Sequence, residues 1–179
     1  MRVYVGTYAK YNNGSIAGSW LNLSDYENHE DFMKACSKLH NDEHDPELMN
    51  QDWEGVPQGS ISECSVDPKL WDLLKIEDYE YYSEKIKYYM EATGVNLEEA
   101  ITDIIDNGFY YGTFRSTEEF AEDFAINVGY LSEIESSPLS YHIDWESYAR
   151  NLQASFTFHY NNKKELIVFA TNNEGIHYD

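Results

Sequence analysis

The negative charge of this chain is concentrated in its middle hundred residues, and that concentration limits how the chain can fold. Residues 41–140 contain 24 Asp and Glu against five Lys and Arg, whereas residues 1–40 contain four acids and four bases. The middle therefore has a net charge of −19, out of −21 for the whole chain. Self-repulsion of this size opposes compaction, so the segment must bury enough apolar surface to offset it.

The acidic middle has the apolar periodicity of a folded helix rather than the composition of a disordered tail. Disordered acidic segments contain few aromatic residues. Between residues 77 and 91, by contrast, apolar residues recur every three or four positions, which predicts one buried helical stripe. The stripe consists of Tyr79, Tyr82, Ile86, Tyr89 and Met90.

Two further helices are predicted after this one. Asn96 is suited to cap the start of a helix that ends at Gly108. Ser116 and Glu119 have the spacing of a capping box at the start of the next helix. The predicted inward faces are Leu97, Ala100, Ile101, Ile104 and Ile105 in the first of these helices, and Phe120, Phe124 and Val128 in the second.

Acidic residues occupy the faces opposite these apolar stripes. Like charges three or four positions apart cost a helix a few tenths of a kcal/mol per pair, and interleaved lysines would remove that cost. Acids one helical turn apart are separated by about 5–6 Å along the axis, a scale similar to the phosphate run of a nucleic-acid strand, at about 3.4 Å per phosphate. A solvated acidic face, an imitation of a polyanion, and a metal or catalytic role all remain open at this stage. The acids on or just after these helices are Glu77, Glu80, Glu84, Glu91, Glu99, Asp103, Asp106, Glu118, Glu119, Glu122, Asp123, Glu133 and Glu135.

Composition indicates a globular chain. With 179 residues, 42% of them hydrophobic and 25% charged, the chain is long enough for one or two domains, and it has no apolar run of membrane-spanning length. The N-terminus passes directly into strand-like alternation, so we expect no secretory signal. Two cysteines give no disulfide framework, which favours a cytoplasmic location. The acidity argues against direct binding to nucleic acid or to an anionic membrane.

The remainder of the chain is predicted to form small sheets with short helices. Two N-terminal strands, over residues 2–8 and 16–23, flank a turn and precede a helix that ends near Leu39. Residues 154–160 and 165–171 have the pattern of a β-hairpin, and the segment 41–62 is predicted to be loop, with at most a short strand near residues 52–56. We therefore expect an α+β fold of small modules: an N-terminal α/β module over residues 1–61, an acidic helical module over 62–108, and a C-terminal α+β module over 109–179 with a small sheet and short helices.

No recognisable catalytic or metal-binding motif is present. The phosphate-binding, dinucleotide-binding, zinc-protease and serine-hydrolase patterns do not occur in the sequence. Cys36, His40 and His44 have a spacing that would place three metal ligands on one helical face, but Pro46 and the polar residues before it predict that the helix ends near His40. We therefore expect a buried cysteine with surface histidines, no cofactor, no metal and no enzyme activity.

Two stretches of the sequence resemble signature segments of the ArdA-type antirestriction proteins. Tyr11–Trp20 has the family's pattern Y-N-x-G-x-x-x-G-x-W. Tyr141–Leu152 looks like the family's Y-I-D-[YW]-x-x-Y-A-R-D-L segment, with Asn151 at a position where the family usually has Asp. The acidic middle lies between the two segments, so the resemblance covers most of Val3–Phe158.

The resemblance implies a non-enzymatic inhibitor. Proteins of this family are elongated homodimers whose surface carboxylates imitate the phosphates of bent duplex DNA. They occupy the DNA-binding groove of type I restriction–modification enzymes and so protect incoming mobile genetic elements such as plasmids or transposons. The partners that the resemblance implies are the methyltransferase core of such an enzyme and a second copy of the chain. The acids named above would then mimic phosphates.

The C-terminal signature segment supplies candidates for the subunit interface by the same resemblance. They are Tyr141, Ile143, Asp144, Trp145, Tyr148 and Arg150. The residues themselves also suggest structural roles. The aromatic and aliphatic side chains are predicted to pack within the C-terminal module, Asp144 is suited to cap a short helix, and Arg150 is suited to pair with a nearby carboxylate.

Two alternatives from other functional classes stay open. One is an acidic module that binds a different basic DNA-binding protein. The other is a hydrolase that uses paired carboxylates, although the chain has too many acids to single out two. A deep pocket holding two acids with raised pKa values would favour the hydrolase, whereas an exposed acidic face would count against it.

Overall fold

The computed structural model describes residues 1–131 and 137–171. Within these residues the chain forms seven α-helices and three small antiparallel sheets, which confirms the predicted α+β class. They group into two compact units: Met1–Met90 with Val95–Ile101, and Glu91–Gly94 with the chain from Thr102 onward. None of the described helices has the length and hydropathy that a membrane span requires. The division into three modules at residues 61 and 108 stays a prediction.

A three-stranded antiparallel sheet organises the first unit. Its central strand is β1 (Arg2–Thr7), flanked by β2 (Ser19–Asn22) and β3 (Leu48–Glu54). Val3 and Val5 of β1 are fully buried, as the apolar alternation of the N-terminus predicts. A two-stranded ribbon follows, made of β4 (Ile61–Ser62) and β5 (Ser65–Val66).

Strand β3 lies in the segment 41–62, so the prediction of loop with at most a short strand near residues 52–56 is wrong for its first half. Asn50 and Asp52 have low strand propensity. They are nevertheless extended because β3 pairs antiparallel with β1 from Leu48 to Glu54. Backbone hydrogen bonding to a distant part of the chain decides the conformation here, and local sequence patterns do not reveal it.

The helices of the first unit begin at side-chain caps. Thr7 caps α1 (Tyr8–Asn12), where the sequence predicted a turn, and Asn28 caps α2 (His29–Leu39) by accepting from the Asp31 amide at 3.0 Å. Ser24 and Asp25, whose residue types also suit a helix cap, lie instead in a 3₁₀ turn at Leu23–Asp25. The remaining helices are α3 (Leu70–Leu74), α4 (Tyr79–Thr93), whose last three residues belong to the second unit, and α5 (Leu97–Ile101).

Helices α4 and α5 follow the predicted periodicity with two differences. Ile86 and Tyr89 of the predicted α4 stripe are buried, but Tyr88, on the predicted outward side, is also buried. Asn96 caps α5 as predicted, accepting from the Glu99 amide at 2.9 Å. The predicted single helix up to Gly108 is instead α5 followed by a π-helical turn over Thr102–Asp106.

The second unit contains the other three-stranded sheet. Its strands are β6 (Tyr110–Phe114), β7 (Phe156–Tyr160) and β8 (Leu166–Ala170), in the order β6–β8–β7. All five residues of β8 are apolar and buried, which suits the central position. β7 and β8 form the predicted hairpin. The helices of this unit are α6 (Thr117–Asn127) and α7 (Trp145–Leu152), with a 3₁₀ turn at Pro138–His142.

Aromatic side chains form the core between α6 and this sheet. Phe120 of α6 is fully buried, and its ring centroid lies 5.1 Å from that of Phe156 and 5.3 Å from that of Tyr111. Edge-to-face packing of this kind adds to the free energy gained by burying the rings. We call the group the aromatic cluster: Tyr111, Phe114, Phe120, Phe124, Phe156 and Phe158.

The first structural prediction concerns Gly18, which lies directly against β1. A Cβ atom at this position would collide with the carbonyl oxygen of Val5. We expect Gly18→Ala to lower the free energy of unfolding by about 1–3 kcal/mol, measured by urea denaturation, because the sheet must shift to admit the methyl group. Ile16→Ala is the control, since Ile16 is 74% exposed and its truncation leaves the free energy of unfolding within about 0.5 kcal/mol. Equal effects of the two changes would contradict this account of Gly18.

Candidate functional site on the acidic helices

In the first unit, the predicted acids lie on α4, just before it, and on α5. Glu77, Glu80, Glu84 and Glu99 are all exposed. Glu80 and Glu84 project from the side of α4 opposite Ile86 because they follow the helical repeat out of phase with the apolar stripe, whereas Glu77 precedes the helix. The sequence thus predicted the exposure of these four carboxylates correctly.

In the second unit, the predicted acids lie at the end of α4, on the π-helical turn and on α6. Asp106, Glu118 and Glu122 are exposed. Asp103, Glu119 and Asp123 are half-buried, so these carboxylates have neighbours that the helical repeat alone did not indicate. Glu133 and Glu135 lie outside the described residues.

Five of the predicted acids make no side-chain hydrogen bond or ion pair within residues 1–131 and 137–171. We call them the unpartnered acids: Glu77, Glu80, Glu99, Asp106 and Glu122. An exposed carboxylate without a partner keeps its full negative charge and its rotational freedom. These acids are therefore available to a positively charged partner without first giving up an internal contact.

A second set of acids accepts hydrogen bonds from neutral groups. The Tyr88 hydroxyl donates to Glu84 at 3.1 Å, and the Asn107 amide donates to Asp103 at 3.0 Å. The Tyr111 hydroxyl donates to Asp123 at 3.2 Å. Hydrogen bonds from Ser116 and Thr117 lower the pKa of Glu118, which therefore stays ionised to lower pH. A neutral donor orients a carboxylate without cancelling its charge.

A third, smaller set of the predicted acids lies beside basic side chains. Arg115 lies 3.1 Å from Glu119, and Nε2 of His159 lies 3.3 Å from Glu91. Glu119 also accepts from the Arg115 amide, where a standard capping box would use the amide of Ser116. Ion pairs also occur in the N-terminal sheet and α2, where Arg2 pairs with Glu54 at 2.7 Å and Lys34 pairs with Glu30 at 2.8 Å.

Some lysines of the acidic segment contact carboxylates, whereas others contact different groups. The ammonium of Lys85 lies 3.0 Å from the centroid of the Tyr81 ring and donates to the Tyr81 carbonyl at 3.1 Å. Burial lowers the pKa of Lys85. Lys69, in contrast, pairs with Asp72 at 3.3 Å and with Glu98 at 3.0 Å.

The structure does not bring the predicted metal ligands together. Helix α2 ends at Leu39, as predicted, so Cys36, His40 and His44 do not share a helical face. Cys36 is buried as expected, and burial raises the pKa of its thiol to about 12. His40 is 2% exposed, so its assignment as a surface histidine is wrong. Its Nε2 lies 3.2 Å from the Val5 carbonyl, which anchors the ring inside the unit.

Within the described residues, a different cluster of side chains has donor atoms close enough together to bind a metal ion, but a lysine ammonium contacts those atoms. The side-chain donors of His40, Asp42 and Glu43 lie within 4.8 Å of one another. The Lys10 ammonium contacts all three, at 3.0 Å from His40, 2.9 Å from Asp42 and 3.3 Å from Glu43. The Lys10 ammonium also lowers the pKa of Asp42. The cluster is therefore a structural site in which Lys10 offsets part of the carboxylate charge and ties the chain after α2 to α1.

The hydrolase alternative requires paired acids in a desolvated pocket. A cavity of about 350 Å³ at the start of α4 contains two acids, Asp78 and Glu80, beside Tyr79 and Tyr81. Both acids are exposed to solvent. Exposed carboxylates lack the desolvation that tunes a catalytic acid, so this geometry does not favour hydrolysis.

The C-terminal signature segment has the predicted local contacts. Asp144 caps α7 by accepting from the Ser147 amide at 2.9 Å, and Arg150 pairs with Glu146 at 2.7 Å. Ile143, Trp145 and Tyr148 are half-buried, and burial raises the pKa of Tyr148. Tyr141 is 89% exposed, so the prediction that it packs inside the C-terminal module is wrong. The 3₁₀ turn at Pro138–His142 presents this ring to solvent.

Comparison with known proteins adds an independent finding. A family model described as antirestriction protein (ArdA) matches residues 3–164. The matched span contains both signature segments and all of the described acids on α4, α5 and α6. A comparison with curated proteins finds no match.

Removing charge from the unpartnered acids should stabilise the fold. We expect the combined variant Glu77→Gln, Glu80→Gln, Glu99→Gln and Glu122→Gln to raise the free energy of unfolding by a few tenths of a kcal/mol for each like-charge pair relieved. Urea denaturation at low and high salt measures this, and the gain should shrink at high salt because salt already screens the repulsion. The control is Glu119→Gln, which breaks the pair with Arg115 and should not stabilise. A destabilised combined variant would show that these acids have structural partners.

Proposed function

The chain belongs to the ArdA family of antirestriction proteins, and we propose that its exposed helical acids take the place of DNA phosphates on a type I restriction–modification enzyme. The family match supports an antirestriction function, which implies a restriction enzyme as partner. Members of this family are inhibitors rather than enzymes. The proposed inhibitor acts without catalysis by occupying the DNA-binding groove of the methyltransferase core.

The main observation that supports this proposal is the set of unpartnered acids. Glu80, Glu99, Asp106 and Glu122 are exposed on helical surfaces, and Glu77 is exposed just before α4, although lysines at neighbouring positions would stabilise the fold. The restriction enzyme's lysines and arginines are arranged to displace counterions from phosphates. Exposed acids one turn apart on a helix, Glu80 with Glu84 on α4 and Glu118 with Glu122 on α6, are separated by about 5–6 Å along the axis and offer those cations a comparable row of charges. Affinity for the enzyme should therefore depend strongly on salt.

We further propose that the inhibitor is an elongated, cytoplasmic homodimer, as the family resemblance implies, and that it protects mobile genetic elements. In this proposal the subunit interface lies in the C-terminal third, near Tyr141, Ile143, Asp144, Trp145, Tyr148 and Arg150. The exposed ring of Tyr141 supports this placement. Aromatic side chains supply large contact area at low entropic cost in interfaces.

The interface proposal predicts the effect of removing one ring. Tyr141→Ala should shift the monomer–dimer equilibrium toward monomer, with the dimer dissociation constant rising about tenfold or more, as measured by sedimentation equilibrium. Because Tyr141 makes little contact within its own chain, the free energy of unfolding of the isolated subunit should not change. Tyr11→Ala, at an exposed ring of the first unit, is the control. A wild-type chain that stays monomeric at micromolar concentration would reject the proposed dimer.

The mimicry proposal predicts graded loss of inhibition. Each exposed ion pair contributes about 0–1 kcal/mol, so any one unpartnered acid should matter little. Neutralising Glu77, Glu80, Glu99 and Glu122 together should weaken inhibition of a type I restriction enzyme about 10- to 100-fold, measured as the inhibitor concentration that halves DNA cleavage. The effect should be smaller at high salt.

A matched control separates helical acids from net charge alone. Glu27, Asp45, Glu47 and Glu63 are four exposed acids of the first unit that lie outside the acidic helices. Their combined change to Gln or Asn removes the same charge and should weaken inhibition much less. Equal loss in both variants would mean that net charge suffices. Total loss on changing one acid would indicate catalysis instead. The alternative, that the partner is a different basic DNA-binding protein, is tested by measuring whether the chain also inhibits DNA binding by such a protein.

A further inference from the structure

Two carboxylates of the acidic helices are held by the hydroxyl groups of tyrosines whose rings are packed in the protein. We propose that Tyr111 and Tyr88 are positioning residues, which fix Asp123 and Glu84 as pre-oriented phosphate surrogates while leaving their charge intact. This inference rests on the proposed function of the acidic helices. It adds that these two acids contribute more to binding than unpartnered acids such as Glu122.

The network around Asp123 is the more completely defined. The Tyr111 hydroxyl donates to Oδ2 of Asp123 at 3.2 Å, and the Asn127 amide donates to the same oxygen at 2.9 Å. The Asn127 amide also donates to the Tyr111 hydroxyl at 3.3 Å. Asp123 and Asn127 belong to α6, whereas Tyr111 belongs to β6, so the network ties the carboxylate to the sheet as well as to its own helix.

The ring of Tyr111 is itself fixed by the aromatic cluster. Its centroid lies 5.3 Å from Phe120, 5.6 Å from Phe156 and 6.1 Å from Phe124. A ring packed on several sides has little freedom to turn its hydroxyl elsewhere. The position of the Asp123 carboxylate is therefore determined by the core of the second unit.

Glu84 has a similar arrangement in the first unit. Tyr88 follows it by one helical turn on α4, is 9% exposed, and donates its hydroxyl to Oε1 of Glu84 at 3.1 Å. The carboxylate of Glu84 remains on the exposed side of the helix. Both units thus contain a surface carboxylate whose orientation depends on a packed phenol.

Neutral donors suit a phosphate surrogate for two reasons. A tyrosine hydroxyl leaves the carboxylate with its negative charge, whereas an ion pair such as that of Glu119 with Arg115 offsets part of it. A carboxylate held in place also loses less side-chain entropy when a partner's cation binds it. The expected consequence is that loss of one hydroxyl weakens binding about two- to tenfold.

The test is a double-mutant cycle on the full chain. Tyr111→Phe removes the hydroxyl and keeps the ring, and Asp123→Asn removes the charge and keeps an acceptor oxygen. Dissociation constants for a purified type I methyltransferase core are measured by competition with labelled duplex DNA, alongside the free energy of unfolding. We expect Tyr111→Phe to weaken binding about two- to tenfold in the wild-type background and to have no further effect in Asp123→Asn.

Tyr110→Phe is the matched control, because the hydroxyl of this neighbouring tyrosine interacts with Thr113 at 3.0 Å. It should leave the dissociation constant unchanged. An unchanged dissociation constant in Tyr111→Phe, or the same loss in both backgrounds, would overturn the positioning role. If Tyr111→Phe does not fold, the equivalent cycle of Tyr88→Phe with Glu84→Gln decides. A wild-type chain that does not displace DNA would instead reject the proposed function itself.

Discussion

The structure depends on a balance between two opposing contributions: the burial of apolar side chains, which stabilises the fold, and the repulsion between like charges, which destabilises it. Each pair of neighbouring acids costs an exposed helix a few tenths of a kcal/mol, whereas burying a Phe, Leu or Ile side chain contributes about 1.5–3 kcal/mol. Ile86 of α4, Leu97 of α5 and Phe120 of α6 are each almost completely buried. The acidic helices therefore fold because each one anchors apolar side chains in the core of its own unit, and their outer faces are free to remain charged.

This balance leaves the acids with three different roles. Cations neutralise some, such as Glu54 beside Arg2 and Glu43 beside Lys10, and these hold the sheet and loops of the first unit. Neutral donors orient others, and a third set has no partner within the described residues. The last two sets keep their charge, which is what a stand-in for phosphate requires. The proposed function and the proposed positioning role of Tyr111 both depend on this separation.

Local signals in the sequence predicted local structure well. Asn96, Ser116 and Asp144 cap helices as expected because a cap depends on residues three positions apart. Periodicity also predicted the exposure of some helical acids, such as Glu80 and Glu122, but not the half-buried position of Asp123. Long-range contacts could not be predicted in this way. Strand β3 exists through its pairing with β1, and the hydrogen bond from Tyr111 to Asp123 links a strand to a helix. The sequence alone therefore could not distinguish the acids that are oriented by a donor from those that have no partner.

The most direct measurement of the central claim is the salt dependence with which the protein displaces duplex DNA from a type I methyltransferase core. If carboxylates occupy the sites of phosphates, the protein and DNA should compete for one groove. The logarithm of the protein's affinity should then fall steeply and linearly with the logarithm of salt concentration, as it does for a polyanion. Binding that is indifferent to salt, or that leaves the DNA in place, would contradict the claim.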